Sequence, residues 1–297
     1  MPNSGRTFSG QSAAQWLWDR QSVWSQTADQ AKRSIGRARA TALALGVAAA
    51  VASTAAAQVL EWNEGLGSVL AFLAAAAVGL VPLATRSTGP QQLRDWTRLR
   101  SVSEELKSET YTYLAGVSPY GAPNAPRELL DRTERLLADA SDLTARTQAF
   151  SPRPRPLPAV SDVSSYLELR VADQIERYYR PRAAHMSRRS TQVRRVELAL
   201  AGTAAVLGAV SGVYGADWAV AWIATITTVS AAVIAHAAAS RYAYQEVEFS
   251  RTAAELERLT RRAVEEPGRI TGDALVGQCE RVISVQNEGW MTKWLGE

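Results

Sequence analysis

The sequence contains few of the residues that build covalently or metal-stabilised folds. Its 297 residues include one cysteine and two histidines. Cys279 has no partner for a disulfide within the chain, and this small set cannot form the His/Cys cluster of a structural zinc site. A disulfide scaffold is therefore excluded, and we expect that the chain binds no metal ion.

Short motifs of common enzymes are also absent. The sequence contains no GxxxxGK[ST] phosphate loop, GxGxxG turn, HExxH zinc pair or GxSxG nucleophile elbow. No pair of carboxylates lies in an apolar segment where it could perform proton or sugar chemistry. We therefore expect that the protein is not an enzyme, has no catalytic residues and uses no cofactor.

Charge is missing from four stretches of the chain. All 33 basic and 29 acidic residues lie outside residues 40–60, 65–85, 198–216 and 218–240. A helix needs about 20 apolar residues to cross the hydrocarbon core of a bilayer, and each stretch meets that length. The first is mostly alanine, so its composition alone also fits a buried helix of a soluble bundle.

Basic residues flank these stretches on one side only. The segments that join the two members of each pair hold only acids, Glu61 and Glu64 in the first and Asp217 in the second. The positive-inside rule then predicts two hairpins with the N- and C-termini in the cytoplasm. The basic flanking residues are Lys32, Arg33, Arg37, Arg39, Arg86, Arg188, Arg189, Arg194, Arg195 and Arg241.

One plan occurs twice along the chain: a basic approach, a span, an acidic tip, a second span and a charged amphipathic helix. We predict a polar N-terminal tail (1–30), a first two-span repeat (31–121), a Pro-rich linker with a short helix (122–159) and a second two-span repeat (160–297). No segment alternates as a strand does. The predicted fold is all-α, a polytopic membrane protein with four transmembrane helices in two hairpins and a cytoplasmic helical bundle or stalk.

Two local features of this plan lead to further expectations. Residues 218–266 contain no glycine or proline, which predicts one helix that continues from the fourth span into a projecting stalk. Trp16, Trp18 and Trp24 near the N-terminus have two interpretations. They could lie on the inner leaflet as an interfacial helix, or pack on the protein's own cytoplasmic helices.

Polar side chains within the spans are candidates for lining a pore: Thr225, Thr228, His236 and Ser53. Each has an alternative interpretation, because hydroxyls can bond to carbonyls of their own helix and His236 lies near the inner interface. Four spans enclose no wide channel, so conduction requires several subunits.

The hairpin tips and one glycine pair are further candidates. Glu61, Glu64 and Asp217 would form acidic rings at the outer mouth of a pore, or are ordinary residues of the hairpin turns. Gly208 and Gly212 form a GxxxG pattern that permits close helix packing, within one chain or between subunits.

Positive charge is concentrated beside the spans and consists mostly of arginine. Anionic lipid headgroups explain this placement better than nucleic acid does. We expect the partners to be the lipid bilayer and further copies of the chain, and not nucleic acid.

Three polar stretches resemble a known family. They are DWTRLRSVSEELKSETYTYLAGVSPYG (95–121), YLELRVADQIERYYRPRAAHMSRR (166–189) and LVGQCERVISVQNEGWMTKW (275–294). These stretches resemble bacterial SLATT domains, which are two-transmembrane effector domains associated with nucleotide second-messenger synthases and SLOG sensors. The residues that carry the resemblance are Trp96, Arg100, Glu104, Leu106, Lys107, Tyr113, Tyr166, Arg170, Gln174, Tyr179, Glu280, Asn287 and Trp290.

The resemblance implies a function as well as a fold. It implies a bacterial membrane effector that forms pores in defence. Combined with the spans and the cytoplasmic helices, this predicts an oligomer in the bacterial inner (plasma) membrane with an ion-permeable pore gated by its cytoplasmic helices, in defence or stress response. A cytoplasmic nucleotide signal or a sensor protein is the implied partner. The competing hypothesis is a membrane-anchored adaptor or scaffold that recruits a cytoplasmic partner without conduction.

Overall fold

The computed structural model describes the backbone of residues 10–266 and 268–295, and the side chains of residues 10–266 and 268–284. None of these residues lies in a strand, so the predicted all-α fold is confirmed. Alanine and leucine are the commonest residues of the helices, and both favour helical backbone. The helices are α1 (Gly10–Leu60), α2 (Glu64–Thr85), α3 (Pro90–Leu114), α4 (Ala125–Asp139), α5 (Thr144–Thr147), α6 (Val163–Tyr166), α7 (Arg180–Tyr214), α8 (Asp217–Ser240), α9 (Tyr242–Glu265) and α10 (Gly272–Leu295).

The described residues form two compact units. We call residues 34–89 and 184–246 the apolar unit, and residues 10–33, 90–183, 247–266 and 268–295 the polar unit. Each unit takes segments from both halves of the chain, so neither sequence repeat is a compact unit by itself. The boundaries of the repeats stay a prediction.

Four helical stretches are long and apolar enough to cross a bilayer: Gly10–Leu60, Glu64–Thr85, Val163–Tyr214 and Asp217–Glu265. At most 11% of the most apolar window in each is buried inside the chain. Large side chains such as Phe72 and Val213 are 72% and 75% exposed. Exposed apolar surface on this scale is unfavourable in water and favourable in lipid, where each helix satisfies its own backbone hydrogen bonds.

Each hairpin turns on a few specific residues. Asn63 precedes α2 and its side chain accepts a hydrogen bond of 3.0 Å from the backbone N–H of Leu66. Gly67 lies against Leu60, where an added Cβ would come within 2.9 Å of the Leu60 Cα. In the second hairpin Gly215 has a φ of 62°, which favours glycine. The tips are therefore tight turns whose geometry depends on a cap and two glycines.

The long helix predicted over residues 218–266 is present but interrupted at one residue. Arg241 adopts the left-handed conformation (φ 50°, ψ 39°), which ends α8 and precedes α9. Side chains bind the carbonyls near this break: Gln245 Nε2 donates to Ser240 O at 2.8 Å, and Arg39 Nη1 donates to Ala239 O at 3.0 Å. The sequence did not predict this interruption, because no glycine or proline marks it. Side chains, and not a helix-breaking residue, bind the carbonyls at the break.

The polar unit has a core of its own. Leu17, Leu99, Leu106, Leu256 and Val276 are fully buried in it. The predicted N-terminal tail is helical from Gly10 onward and belongs to this core. Trp18 and Trp24 are also buried, which supports packing on the protein's own helices over an interfacial helix for these two residues.

The segment after the fourth span is packed and does not project as a lone stalk. Phe249 and Leu259 of α9 are 3% and 5% exposed. The ring of Phe249 meets the ring of Tyr178 edge-on, with 6.1 Å between the centroids. The prediction of a projecting stalk is wrong for this stretch, because α9 has an apolar face that the polar unit covers.

A wider helix joins α6 to α7. Leu167–Ala172 and Gln174–Tyr179 are π-helical. Tyr166, the last residue of α6, is buried together with Arg170, Ile175 and Tyr179 of the π segments, and these positions are four to five residues apart. This spacing suits the wider π turn, and π segments are frequent at functional sites. The π winding places an arginine and three apolar or aromatic side chains on one face.

The Pro-rich linker is attached along its length. It contains the predicted short helix, α4, and then an extended stretch at residues 151–158. This stretch lies along α1, where Trp18 Nε1 donates to Pro156 O at 3.0 Å and Gln26 Nε2 donates to Ser151 O at 3.0 Å. Proline removes backbone donors, so two linker carbonyls accept bonds from α1, and the backbone N–H of Arg153 donates to Ser22 Oγ at 3.1 Å.

Candidate functional site

A buried ion pair joins the π segment to α10. Arg170 donates to Glu280 through Nε to Oε1 and through Nη2 to Oε2, both at 3.0 Å. The side chains are 1% and 9% exposed. Tyr166 donates its hydroxyl hydrogen to Glu280 Oε1 at 2.8 Å, and Arg170 lies 4.7 Å from the centre of the Tyr111 ring. This bidentate geometry is the strong form of an arginine–carboxylate contact.

A second charged group lies on α3. Arg100 Nη2 is 2.6 Å from Glu104 Oε1, one helical turn away, and also contacts the Tyr178 hydroxyl at 3.4 Å. With its amide oxygen turned toward them, Gln174 accepts hydrogen bonds from Lys107 Nζ at 3.0 Å and from Arg170 Nη1 at 3.2 Å. Gln174 therefore connects the cations of α3 to the buried pair with Glu280.

The electrostatics of this network keep its carboxylates ionised. Burial alone would raise the pKa of Glu104, but Arg100, Lys107 and Arg170 outweigh it and lower that pKa to about 2. Arg170 and the hydrogen-bonding hydroxyls likewise hold the pKa of Glu280 below its ordinary value against the effect of burial. For Lys107, burial together with Arg170 and Arg100 lowers the pKa to about 8 despite the acids nearby.

A cavity of about 380 Å³ adjoins the α3 cations within the polar unit. Trp96 and Phe249, 5% and 3% exposed, contribute buried rings, and Tyr178 contributes a half-buried one. The charged lining is unequal, since five side chains are cationic and two are acidic. These charged side chains are Lys32, Arg100, Lys107, Arg155, Arg182, Asp29 and Glu104.

Arg155 reaches this cavity from the extended linker. Its Nη2 donates to the backbone oxygen of Trp18 at 2.7 Å and to the side chain of Gln21, and its guanidinium lies 3.6 Å from the centre of the Trp18 ring. Its Nε is buried and has no hydrogen-bond partner among the described residues. The linker thus contributes a charged side chain to the polar unit.

Two family models match the chain. Residues 166–290 match "SMODS and SLOG-associating 2TM effector domain 1", abbreviated SLATT_1. This match lies in the second half of the chain and covers 125 of its 297 residues. Residues 22–128 match a family described as "Protein of unknown function (DUF4231)", and the two matches together are consistent with a tandem SLATT-type protein. No curated protein and no solved structure matches the chain.

The two matched regions share one charged network. Arg170, Gln174 and Glu280 lie in the region that matches SLATT_1, and Arg100 and Glu104 lie in the region that matches DUF4231. Trp96, also singled out by the resemblance, lines the adjacent cavity. The residues that carry the resemblance are therefore largely structural neighbours, a proximity that their sequence positions do not show.

One residue of the resemblance lies elsewhere. Tyr113 packs edge-on against Tyr120, with 5.5 Å between the ring centroids, and does not line the cavity. Asn287 and Trp290 belong to α10, and their side chains are outside the described residues.

Several cavity residues were not predicted as site residues. The sequence marks Lys32 only as a charge flanking the first span, and Arg155 only as part of the Pro-rich linker. Arg182 lies in the second resembling stretch but is not among the residues that carry the resemblance, and Phe249 has no local signal. A basic residue in an apolar or proline-rich context is a weak signal, and only the packing of distant helices brings these four together.

The candidate pore-lining residues occupy different environments in the apolar unit. Thr225 is buried, bonds to Ala221 O at 3.2 Å and makes a short hydroxyl contact with Thr54 of α1. Thr228 and Ser53 are exposed, and Thr228 bonds to the carbonyl of its own helix at Ala224. His236 is half-buried. Their role in lining a pore stays a prediction.

The predicted acids and glycines of the apolar unit are all exposed. Glu61, Glu64 and Asp217 lie at the hairpin tips, the last two in the first turns of α2 and α8. A Cβ added to Gly208 would lie 4.0 Å from Ile223 Cδ1, and a Cβ added to Gly212 would have no neighbouring atom within 4 Å. Within one chain, the close approach occurs instead at Gly67.

Proposed function

We propose that this protein is an oligomeric membrane effector whose hairpins form an ion-permeable path gated by the polar unit, in bacterial defence or stress response. The SLATT match supports a membrane effector role. The observation that carries the rest is the exposure of the four apolar windows, of which at most 11% is buried. Surface of this kind is available to lipid and to further subunits.

Orientation and partners form part of the same proposal. The one-sided placement of Lys and Arg supports cytoplasmic termini in the inner (plasma) membrane, with the acidic tips outside. The proposed partners are the anionic bilayer, further copies of the chain, and a cytoplasmic nucleotide signal or sensor protein. The proposed role needs no catalytic step and no nucleic acid.

Gating is proposed to act through helices that both units share. α1 contributes residues 10–33 to the polar unit and 34–60 to the apolar unit, and α9 is divided between them at residue 247. A continuous helix can transmit a rotation or shift along its axis, whereas a flexible insertion absorbs it.

Reconstitution tests the central claim. The purified chain is placed in liposomes that contain anionic lipid, and potassium efflux and subunit number are measured on the same preparation. We expect efflux from a closed oligomer. The Thr228→Val variant should change the efflux rate, while Thr203→Val, which alters another exposed threonine bonded to its own helix, should not. Sealed liposomes, or a monomer, contradict the pore.

The adaptor hypothesis has one observation in its favour. The polar unit has its own buried core and cavity, so it could bind a partner without any movement of the spans. Sealed liposomes together with specific capture of a sensor protein by the full chain would favour the adaptor.

A further inference from the structure

We propose that the cavity of the polar unit is a binding site for a nucleotide, with the phosphate held by its cations and the base held by its aromatic rings. The binding step is carried by the cavity alone. Its consequence, that nucleotide binding changes conduction, rests on the proposed pore function.

Charge is the first argument. Cationic side chains outnumber acidic ones by three around the cavity. One acid is already engaged, since Glu104 pairs with Arg100 at 2.6 Å. A cluster of like charges around a cavity is unfavourable unless an anion neutralises it, and arginines bind phosphate through paired N–H donors. The expected ligand therefore carries at least one phosphate.

The cations differ in exposure in a way that suits such a ligand. Lys32 and Arg182 are exposed, whereas Arg100, Lys107 and Arg155 are partly buried. The Arg182 guanidinium lies 4.8 Å from the centre of the Tyr178 ring. The exposed pair can attract an anion from solution, and the less exposed cations can hold it where water screens their charge less.

Aromatic rings are the second argument. Trp96, Tyr178 and Phe249 belong to three different helical segments and meet at one cavity. Phosphate alone needs no rings, and an aliphatic lipid headgroup needs none either. Stacking of a planar base on aromatic side chains contributes roughly 1–3 kcal/mol per base. Rings beside cations thus favour a nucleotide over inorganic phosphate.

Size is consistent with this ligand class. The cavity of about 380 Å³ falls within the range of roughly 300–1,000 Å³ found for small-molecule pockets.

Calorimetry on the full chain in detergent tests the site. AMP and GMP are compared with adenosine, which lacks phosphate, and with ribose 5-phosphate and inorganic phosphate, which lack the base. We expect at least one of the two nucleotides to bind about ten-fold or more tightly than each of the partial ligands. Dihexanoyl phosphatidylglycerol serves as the lipid headgroup probe.

Variants separate the two halves of the site. Lys32→Gln and Arg182→Gln, both at exposed positions, should each weaken nucleotide binding about ten-fold. The control Arg262→Gln, which removes an exposed arginine that does not line the cavity, should leave binding unchanged. Tyr178→Leu should weaken binding of the nucleotide and leave binding of ribose 5-phosphate unchanged.

Several results would overturn the proposal. These are the absence of saturable AMP and GMP binding, equal affinity for adenosine, tighter binding of the lipid probe, or unchanged affinity in both charge variants. Because binding is measured in detergent, its failure is distinct from failure of the pore. Nucleotide binding with no effect on efflux retains the site and rejects only the coupling.

Discussion

Arg170 and Glu280 illustrate that a buried charge needs a partner of opposite charge. Both are nearly inaccessible, and each supplies the partner that makes burial of the other tolerable. The desolvation cost of two buried ions is several kcal/mol each, so the pair is a weak source of net stability but a strong point of vulnerability. The hydroxyl of Tyr166 and the amide of Gln174 complete the hydrogen bonding around the pair.

Removing one member of this pair should therefore be costly. Glu280→Gln leaves the Arg170 guanidinium buried without its counter-charge, and we expect a loss of about 3–5 kcal/mol in the free energy of unfolding of the polar unit. Thermal unfolding followed by tryptophan fluorescence measures the effect. The double variant Arg170→Met/Glu280→Leu should recover much of the loss. The control Asp142→Asn breaks an exposed pair with Arg98 and should cost under about 1 kcal/mol. Similar losses for Glu280→Gln and Asp142→Asn would contradict the argument.

Glu104 gives the network a defined acid response. Its pKa is about 2 in the folded chain against an ordinary value of 4.5. The ionised carboxylate therefore stabilises the fold above about pH 4.5, and this contribution is lost as the pH falls from 4.5 to 2. We expect the unfolding midpoint to fall across that window, and to fall less in Glu104→Gln. Parallel curves for the two proteins would exclude Glu104 as a source of the response.

At the scale of elements, the hairpin tips depend on close backbone approach. An added Cβ at Gly67 would lie 2.5 Å from Leu60 Cγ and 2.9 Å from Leu60 Cα, and backbone cannot move away as a flexible side chain can. Gly79 lies on the same helix and has no atom within 4 Å of an added Cβ.

These two glycines form a matched pair of tests. Gly67→Ala should destabilise the first hairpin by about 1–3 kcal/mol, because the overpacked turn must open. Gly79→Ala should be neutral or slightly stabilising, since alanine favours the helix. Unfolding in detergent, titrated with a denaturing detergent, compares them. Equal stability of the two variants would show that the tip does not require glycine.

The helix break at Arg241 lies between α8 and α9, on the path through which we propose that movement reaches the spans. We expect insertion of Gly-Gly after Ala243, just beyond the break, to change the gating of potassium efflux without preventing membrane insertion. The physical reason is that two glycines interrupt the helix that would transmit movement. Efflux and membrane fractionation are measured on the same variant, and a normal efflux response to the activating signal would argue against coupling through α9.

At the scale of the whole molecule, the proposed orientation rests on the distribution of charge. Trp62 and Tyr214 are 85% and 79% exposed at the hairpin tips. In a Cys279→Ser background, Trp62→Cys and Tyr214→Cys should react with a membrane-impermeant thiol reagent in intact cells. Ser151→Cys, exposed in the polar unit, should react only after lysis. Labelling of Ser151→Cys in intact cells would reverse the proposed topology.

The four apolar spans and the helical class could be predicted because each depends on local properties. Charge-free length and apolar periodicity along a helix are visible in one stretch of sequence at a time. The same local view failed at Arg241 and for the stalk. There, Gln245 and Arg39 bind carbonyls near the break, and the rest of the polar unit covers the apolar face of α9.

Part of the candidate site could be predicted from the sequence, and part could not. The resemblance to SLATT domains identified Trp96, Arg100, Glu104, Arg170, Gln174 and Glu280 from the sequence. The cavity itself, with Lys32, Arg155, Arg182 and Phe249, was decided only by tertiary structure, since a cavity exists where distant segments fail to fill the space between them. The amino-acid sequence by itself determined which stretches enter lipid, because hydrophobicity is a property of each segment. Tertiary structure decided which charges meet, because burial and pairing depend on neighbours far away in the chain.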